Sequence, residues 1–244
     1  MQALVTGATS GIGQAVARSL AAKGWAVALV GRRADRLATL AGELDRDHGV
    51  NVLVIDADVS SASAEDRLLS ALSREGWDSL DAAILAAGHG RAYGPFREGQ
   101  PADIISELET NLVANVRLSR VLISLTDRAE GTLVFVGSVF GYVAKGSYAT
   151  YCASKTGLLQ FARALRDERR EGSGTRICTI SPGTVRTEFA SLTVHRDPVV
   201  YPANLWSYEP LEPEDVSRAV CWVLDAPRHV EIRELVMSPA GEIL

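Results

Sequence analysis

Gln2–Arg33 reads QALVTGATSGIGQAVARSLAAKGWAVALVGRR, and its pattern decides the fold. An apolar, β-rich run over 2–6 leads through Gly7, Gly11 and Gly13 into a segment of helical period over 11–23, and a second apolar run follows over 25–30. This is a strand–turn–helix–strand unit. Glycines between a strand and a helix let backbone amides approach an anion with no Cβ in the way, at the positive end of the helix. Placed there, the turn predicts a pyrophosphate cradle that uses Thr9, Ser10 and Ile12 as well as the three glycines.

The alternation continues along the chain. Short apolar runs predict strands at about 51–56, 81–86, 132–137, 175–180 and 233–237, and segments of helical period predict helices near 33–47, 62–75, 101–128, 148–171 and 212–226. Strand–helix units in series stack into a parallel sheet with right-handed crossovers. The expectation is an α/β fold, a doubly wound sheet of seven parallel strands flanked by helices on both faces. No break in composition, repeat or low-complexity linker divides the 244 residues, so 1–244 reads as a single domain.

Composition removes several function classes. A net charge of −5, with arginines in isolated pairs such as Arg169-Arg170, leaves no basic stripe for nucleic acid. Three cysteines and four scattered histidines show no ligand spacing, so no metal site is expected, and the odd cysteine count fits a reducing, cytoplasmic setting. The chain enters its first strand without a basic-then-apolar leader, and no apolar run is long enough for a bilayer. Neither a signal peptide nor a membrane span is expected.

A second stretch, GSVFGYVAKGSYATYCASK over Gly137–Lys155, carries chemistry. On a helix, Tyr151 and Lys155 face the same way one turn apart, about 6 Å of axial rise. The chain has three lysines, Lys23, Lys145 and Lys155, and uses arginine elsewhere. A compact ammonium that lowers a neighbour's pKa is something arginine does poorly. Ser138 ends the fifth predicted strand, at the carboxyl edge where open α/β sheets bind ligands.

Taken together, the chain resembles the short-chain dehydrogenase/reductases, in their single-domain, NADP-preferring branch. The resemblance spans essentially the whole chain and rests on TGATSGIG (Thr6–Gly13), Asp58-Val59, Ala87-Gly88, Asn111, Ser138, YCASK with Tyr151 and Lys155, and Pro182-Gly183. It implies a Rossmann-type fold and a nicotinamide cofactor. Asp58 with the Val59 backbone is implied at the adenine, Ala87 and Gly88 at the ribose, and Pro182, Gly183, Thr184, Val185 and Thr187 in a loop over the nicotinamide. Asp58 has a rival use near the helix at 62, as its N-cap, although Ser60 or Ser61 suits a cap better. Where the family has an asparagine pair before Ala-Gly, this chain has Leu85-Ala86, which puts sheet-end hydrogen bonds in question.

The end of the second strand selects the cofactor. NAD-binding folds place a carboxylate there for the ribose 2′-hydroxyl, whereas a 2′-phosphate needs that carboxylate absent and an arginine present. Gly31 is followed by Arg32 and Arg33, so NADP(H) is expected, with Arg32 as the main phosphate ligand and Arg33 in support.

Reducing a carbonyl requires a hydride on one face and a proton at the oxygen. Free tyrosine has a pKa of about 10, so poising it near neutrality takes about 3–4 kcal/mol of phenolate stabilisation, which an ammonium and an oxidised nicotinamide can provide. The resemblance makes Tyr151 the general acid and base, and Lys155 the residue that lowers its pKa and binds the ribose. It places Ser138 on the substrate oxygen, and gives Asn111 an irregular helix whose carbonyl holds a water in the relay to Lys155. A rival is Tyr148, two turns before Lys155, because divergent enoyl reductases of the family use such a wider spacing. The closer tyrosine and a serine that polarises a carbonyl favour Tyr151. Hydrolysis is disfavoured, since no nucleophile elbow GxSxG surrounds Ser138. A non-catalytic NADP(H)-binding regulator is the reading from another class, and the complete Asn111, Ser138, Tyr151, Lys155 set counts against it.

The segment 188–209, with Phe189, Tyr201, Trp206 and Tyr208, reads as a substrate lid. With His89, Tyr93, Phe96, Phe140, Tyr142 and Tyr148 it predicts a partly aromatic pocket for a small to medium, largely apolar carbonyl or alcohol. Apolar positions such as Ile104, Leu108, Leu112 and Val116 in the middle helix match the family's four-helix contact, which implies a homodimer or homotetramer.

Overall fold

Strands whose every side chain is apolar have no wet face, and this sheet is covered on both sides. In the computed structural model, which describes residues 1–168, 174–189, 193 and 207–242, seven strands form one sheet. They are β1 (Gln2–Thr6), β2 (Ala26–Gly31), β3 (Val52–Asp56), β4 (Ala82–Leu85), β5 (Thr132–Val136), β6 (Arg176–Pro182) and β7 (Glu234–Met237). Every pairing is parallel, in the order β3-β2-β1-β4-β5-β6-β7. The helices are α1 (Gly11–Ala22), α2 (Ala34–His48), α3 (Ala64–Arg74), α4 (Pro101–Leu108), α5 (Ala114–Ala129), α6 (Ala149–Asp167) and α7 (Pro213–Asp225). The expected doubly wound architecture is therefore present, and none of the described helices is long and apolar enough to cross a membrane.

Alternate strand residues build two cores. Ala3, Val5, Val134 and Val136 meet Val16 and Leu20 of α1, Leu37 and Leu40 of α2, and Val216 and Val220 of α7. Leu4, Leu133 and Phe135 point the other way, against Leu68 of α3, Leu118 and Leu122 of α5, and Leu158 of α6. Phe135 also meets Phe161 of α6 edge-on, with ring centres 6.0 Å apart.

Two details depart from the sequence reading. The helix expected over 101–128 is split by a π-helical turn, Glu109–Val113, between α4 and α5. That turn inserts one extra residue into the helical ladder while keeping the apolar stripe on one side, so spacing alone did not reveal it. The third helix begins at Ala64, and Ser63 rather than Ser60 or Ser61 occupies its N-cap position. Asp58 has claimed Ser60, accepting its N–H at 3.0 Å and its hydroxyl at 2.7 Å.

The sheet's switch point lies between β1 and β4, which neighbour each other while their following helices go to opposite faces. Such a point opens a crevice at the carboxyl ends of the strands. Thr6 closes its floor: its buried hydroxyl oxygen accepts the N–H groups of Ala86 at 3.0 Å and Ala87 at 3.1 Å. One threonine thus holds the strand ends together where the sequence lacks the asparagine pair. Thr6→Val keeps the shape but removes that acceptor, and urea denaturation should show a loss of about 1–3 kcal/mol. Unchanged stability would mean that the Ala86 and Ala87 amides do not depend on Thr6.

Candidate active site

The crevice is a cavity of about 470 Å³. All the cofactor residues expected from the sequence line it: Gly7 to Gly13 of the first turn, Arg32 and Arg33, Asp58 and Val59, Ala87 and Gly88, Tyr151 and Lys155, and Pro182, Gly183, Val185 and Thr187. At Gly7, with φ +69°, a Cβ would lie 2.9 Å from Ala87 Cα, and at Gly13 it would lie 2.5 Å from the Gly7 carbonyl oxygen. The turn is folded so tightly on itself and on the β4 loop that no side chain fits at Gly7 or Gly13. This fits a pyrophosphate, which takes backbone N–H groups and a helix N-terminus.

At the end of β2 no carboxylate follows Gly31, and Arg33 is fixed in place. Its Nε and one terminal nitrogen donate to Thr9 Oγ1 at 3.0 and 2.8 Å, and that nitrogen also reaches Ser10 Oγ at 2.8 Å. Its other nitrogen donates to Glu188 at 2.9 Å, and Arg36 donates to the second Glu188 oxygen at 2.7 Å. Burial would raise the Glu188 carboxyl, but the bonds from Arg33 and Arg36 outweigh it and hold it below its ordinary range. Arg32, 56% exposed, stands 3.6 Å from Asp58. Asp58 likewise stays low because Ser60 and Arg32 overcome its burial. Two guanidiniums flanking a carboxylate-free strand end suit a 2′-phosphate.

On the far wall, Ser138 follows β5 and opens a short 3₁₀ turn, Val139–Gly141, where its oxygen accepts the Phe140 N–H at 3.2 Å. Its side chain and that of Tyr151 line the same cavity wall. Tyr151 and Lys155 sit one turn apart on α6, and both are buried. The Lys155 ammonium donates to the Val136 carbonyl at 2.9 Å and lies 5.6 Å from the centre of the Tyr151 ring. Burial brings Lys155 down to about 8, with Glu107 pulling the other way. Burial pushes the Tyr151 phenol above its ordinary value, and Ser138 opposes this while Glu107 adds to it. Burial is the largest of these influences on the phenol.

Asn111 lies in the π turn, fully buried behind the cavity wall rather than on it. Its side chain clamps the loop after β4, accepting the His89 N–H at 2.9 Å and donating to the His89 carbonyl at 2.8 Å. The same amide donates to Ser154 at 3.3 Å, and Asn115 donates to the Asn111 carbonyl at 2.9 Å. A methyl on Gly88 would meet Asn111 Oδ1 at 3.1 Å and Lys155 Nζ at 3.7 Å, so the two groups converge there.

Phe140, Tyr148 and Phe189 form the aromatic side of the cavity. Tyr148 meets Tyr93 at 4.9 Å, Phe140 at 5.1 Å and Tyr151 at 6.2 Å between ring centres, and Phe189 stands 5.3 Å from Tyr151. Other expected aromatics are not lining residues: Tyr142 donates its hydroxyl to Glu234 at 2.8 Å, and Phe96 is exposed. Trp206, Tyr201 and most of the expected lid fall outside the described residues.

Three cavity-side groups escaped the sequence reading. Glu242 accepts the Thr184 N–H at 3.1 Å, against the loop that begins at Pro182-Gly183. Arg91 lines the cavity and has no ion pair among the described residues. Glu107 is buried behind it, with its carboxyl pushed by burial up to about 7. No motif marks any of them. Among the described residues, no cluster of three histidine, cysteine or acidic side chains is arranged to hold a metal.

A dinucleotide groove that ends at a buried serine, tyrosine and lysine is the equipment of a nicotinamide-dependent oxidoreductase. The chain belongs to the short chain dehydrogenase family, whose profile matches residues 1–197. It is 33% identical to the NADP-dependent 3-hydroxy acid dehydrogenase of Escherichia coli K12, over 99% of this chain and 96% of that one. Identity to the serine 3-dehydrogenase of Agrobacterium fabrum is 30%, over 98% and 94% of the two chains. The closed form of a serine dehydrogenase complexed with NADP+ superposes with a TM-score of 0.88 at 30% identity, covering 100% of this chain and 99% of that one.

Glu107 gives a stability signature. A carboxyl raised from 4.5 to about 7 contributes stability that is complete below the lower value and is lost as pH rises through the upper one. Chemical denaturation of Glu107→Gln, which cannot ionise, should therefore show it gaining on the wild type from about pH 5 to about pH 8. A pH-independent difference would show that Glu107 titrates normally.

Proposed function

We propose that this oxidoreductase interconverts a carbonyl and a secondary alcohol, with Tyr151 as general acid in reduction and general base in oxidation. The cofactor is NADP(H), which supplies or accepts the hydride when bound. Arg32 and Arg33 would hold its 2′-phosphate, the Gly7–Gly13 turn its pyrophosphate, Asp58 and Val59 its adenine, and Ala87, Gly88 and Lys155 its nicotinamide-side ribose. The loop from Pro182 through Val185 to Thr187 would take the nicotinamide.

The observation that carries the reading is the convergence of buried Ser138, Tyr151 and Lys155 on one cavity wall, with the ammonium 5.6 Å from the centre of the Tyr151 ring. In reduction the two hydroxyls hold the carbonyl oxygen. Tyr151 passes its proton to that oxygen as charge develops, and Lys155 stabilises the phenolate that remains. Asn111 keeps the loop at Gly88 and His89 in place behind the lysine. A positioned acid of this kind contributes about 10²–10⁴ in rate. An enoyl-type role for Tyr148, or a non-catalytic cofactor-binding role, leaves the Ser138–Tyr151 pair without a purpose.

Phe140, Tyr148 and Phe189 support a small to medium substrate with a largely apolar body. One observation favours a second reading, in which the substrate also carries an acid group: Arg91 lines the same cavity without an ion pair among the described residues. Relatives named for hydroxy acids and serine agree with it.

Tyr151→Phe should lower kcat by about 10³ or more, while Tyr148→Phe should mainly raise KM. The reverse outcome would establish the enoyl-type assignment. Matched neutral ketones and oxo acids, compared by NADPH oxidation, separate the two substrate readings. If Arg91 recognises an acid group, Arg91→Ala should cost the oxo acid about tenfold or more in kcat/KM and leave the ketone unchanged; equal effects on both would remove that reading.

A further inference from the structure

The ion pair of Arg33 with Glu188 joins parts of the chain 155 residues apart. Glu188 lies in the loop after β6, and that loop rests on the glycine turn: a Cβ at Gly11 would lie 3.0 Å from Thr187 Cγ2. Thr9, Ser10, Gly11, Thr187 and Glu188 line the cofactor cavity and also a second cavity, of about 430 Å³, beside α2. Glu188 thus stands in the wall shared by the two, with Arg33 lining the first cavity and Arg36 the second.

The hydrogen bonds of Arg33 show what that position costs a second anion. A guanidinium carries five N–H groups, and a phosphate takes them from it in pairs. Nε and one terminal nitrogen of Arg33 donate to Thr9 and Ser10, and the other terminal nitrogen donates to Glu188 at 2.9 Å. The pairs a phosphate would use are already committed within the protein. Of the three residues that hold them, Glu188 alone is an anion. Its second oxygen accepts from Arg36 at 2.7 Å, so the carboxylate keeps a cation when Arg33 turns to another partner. At this end of the cavity the guanidiniums of Arg32, Arg33 and Arg36 each face a carboxylate, Asp58 or Glu188.

We propose that Glu188 is a specificity-determining residue of the cofactor site: it competes with the cofactor's 2′-phosphate for Arg33 and so limits the preference for NADP(H) over NAD(H). This role rests on the assignment of Arg33 to that phosphate. A cofactor without the phosphate leaves the ion pair intact and asks nothing of Arg33. One that carries it must draw N–H groups away from Glu188, and meets a like charge there. Preference is a difference of two affinities, and a carboxylate that acts against one ligand alone lowers it.

The test is calorimetric binding of adenosine 2′,5′-bisphosphate and of 5′-AMP to the full chain, since the two probes differ only in the 2′-phosphate. Wild type should prefer the bisphosphate. In Glu188→Gln, which keeps the shape without the charge, and in Glu188→Ala, the bisphosphate should bind about fivefold more tightly while 5′-AMP binds as before. A damaged fold would not produce such a gain. Made in an Arg33→Ala background, the same substitutions should give no gain, because the contested group is gone. A ratio of the two affinities that is unchanged or lowered by loss of Glu188 would show that the ion pair only braces the loop, and would overturn the proposal; so would a gain that persists without Arg33. A wild type that binds both probes alike would instead remove the assignment of Arg33 to the phosphate, and this role with it.

Discussion

Keeping a primary ammonium out of water is expensive unless something answers its charge. Lys155, 5% exposed at the end of a cavity, imposes that requirement on everything around it. β5 meets part of it with the Val136 carbonyl. Asn111 and the π turn hold the loop that closes over Gly88. Tyr151 shares the same interior. The burial that makes the lysine costly also disfavours the Tyr151 phenolate.

The opposite end of the cavity is built on close approach rather than charge. Gly13 has no room for a side chain because the Gly7 carbonyl is pressed against it, and Gly7 in turn abuts Ala87. This contact brings β1, α1 and the β4 loop to one point, where Thr6 ties the strand ends together. Arg33 is anchored to Thr9 and Ser10 of the same turn. The glycine turn and the cluster of Ser138, Tyr151 and Lys155 are therefore opposite ends of one cavity at the switch point.

Much of this was legible in the sequence because the informative groups are local. Strands such as Ala82–Leu85 are apolar at every position, and Gly7–Gly13 and Ser138–Lys155 are each contiguous. The π turn was not legible as a break, because Ile104, Leu108, Leu112 and Val116 keep the spacing of an unbroken helix and only the hydrogen-bond ladder changes. At the third helix, a run of serines offered several caps, and the choice was made by the Asp58 side chain. Glu107 and Glu242 were invisible for another reason. Their partners, Ala92 and Thr184, lie 15 and 58 residues away, and only the fold brings them together. The pairing of Arg33 and Arg36 with Glu188 is hidden in the same way.

The proposed reaction delivers a proton to a carbonyl oxygen and a hydride to the carbon of that same carbonyl. The most direct test gives the enzyme NADPH deuterated at its transferable hydrogen, together with an α,β-unsaturated ketone, and locates the deuterium in the product by NMR. Deuterium on the carbinol carbon, with the double bond intact, is the predicted result. Deuterium on the β-carbon of a saturated ketone would contradict it.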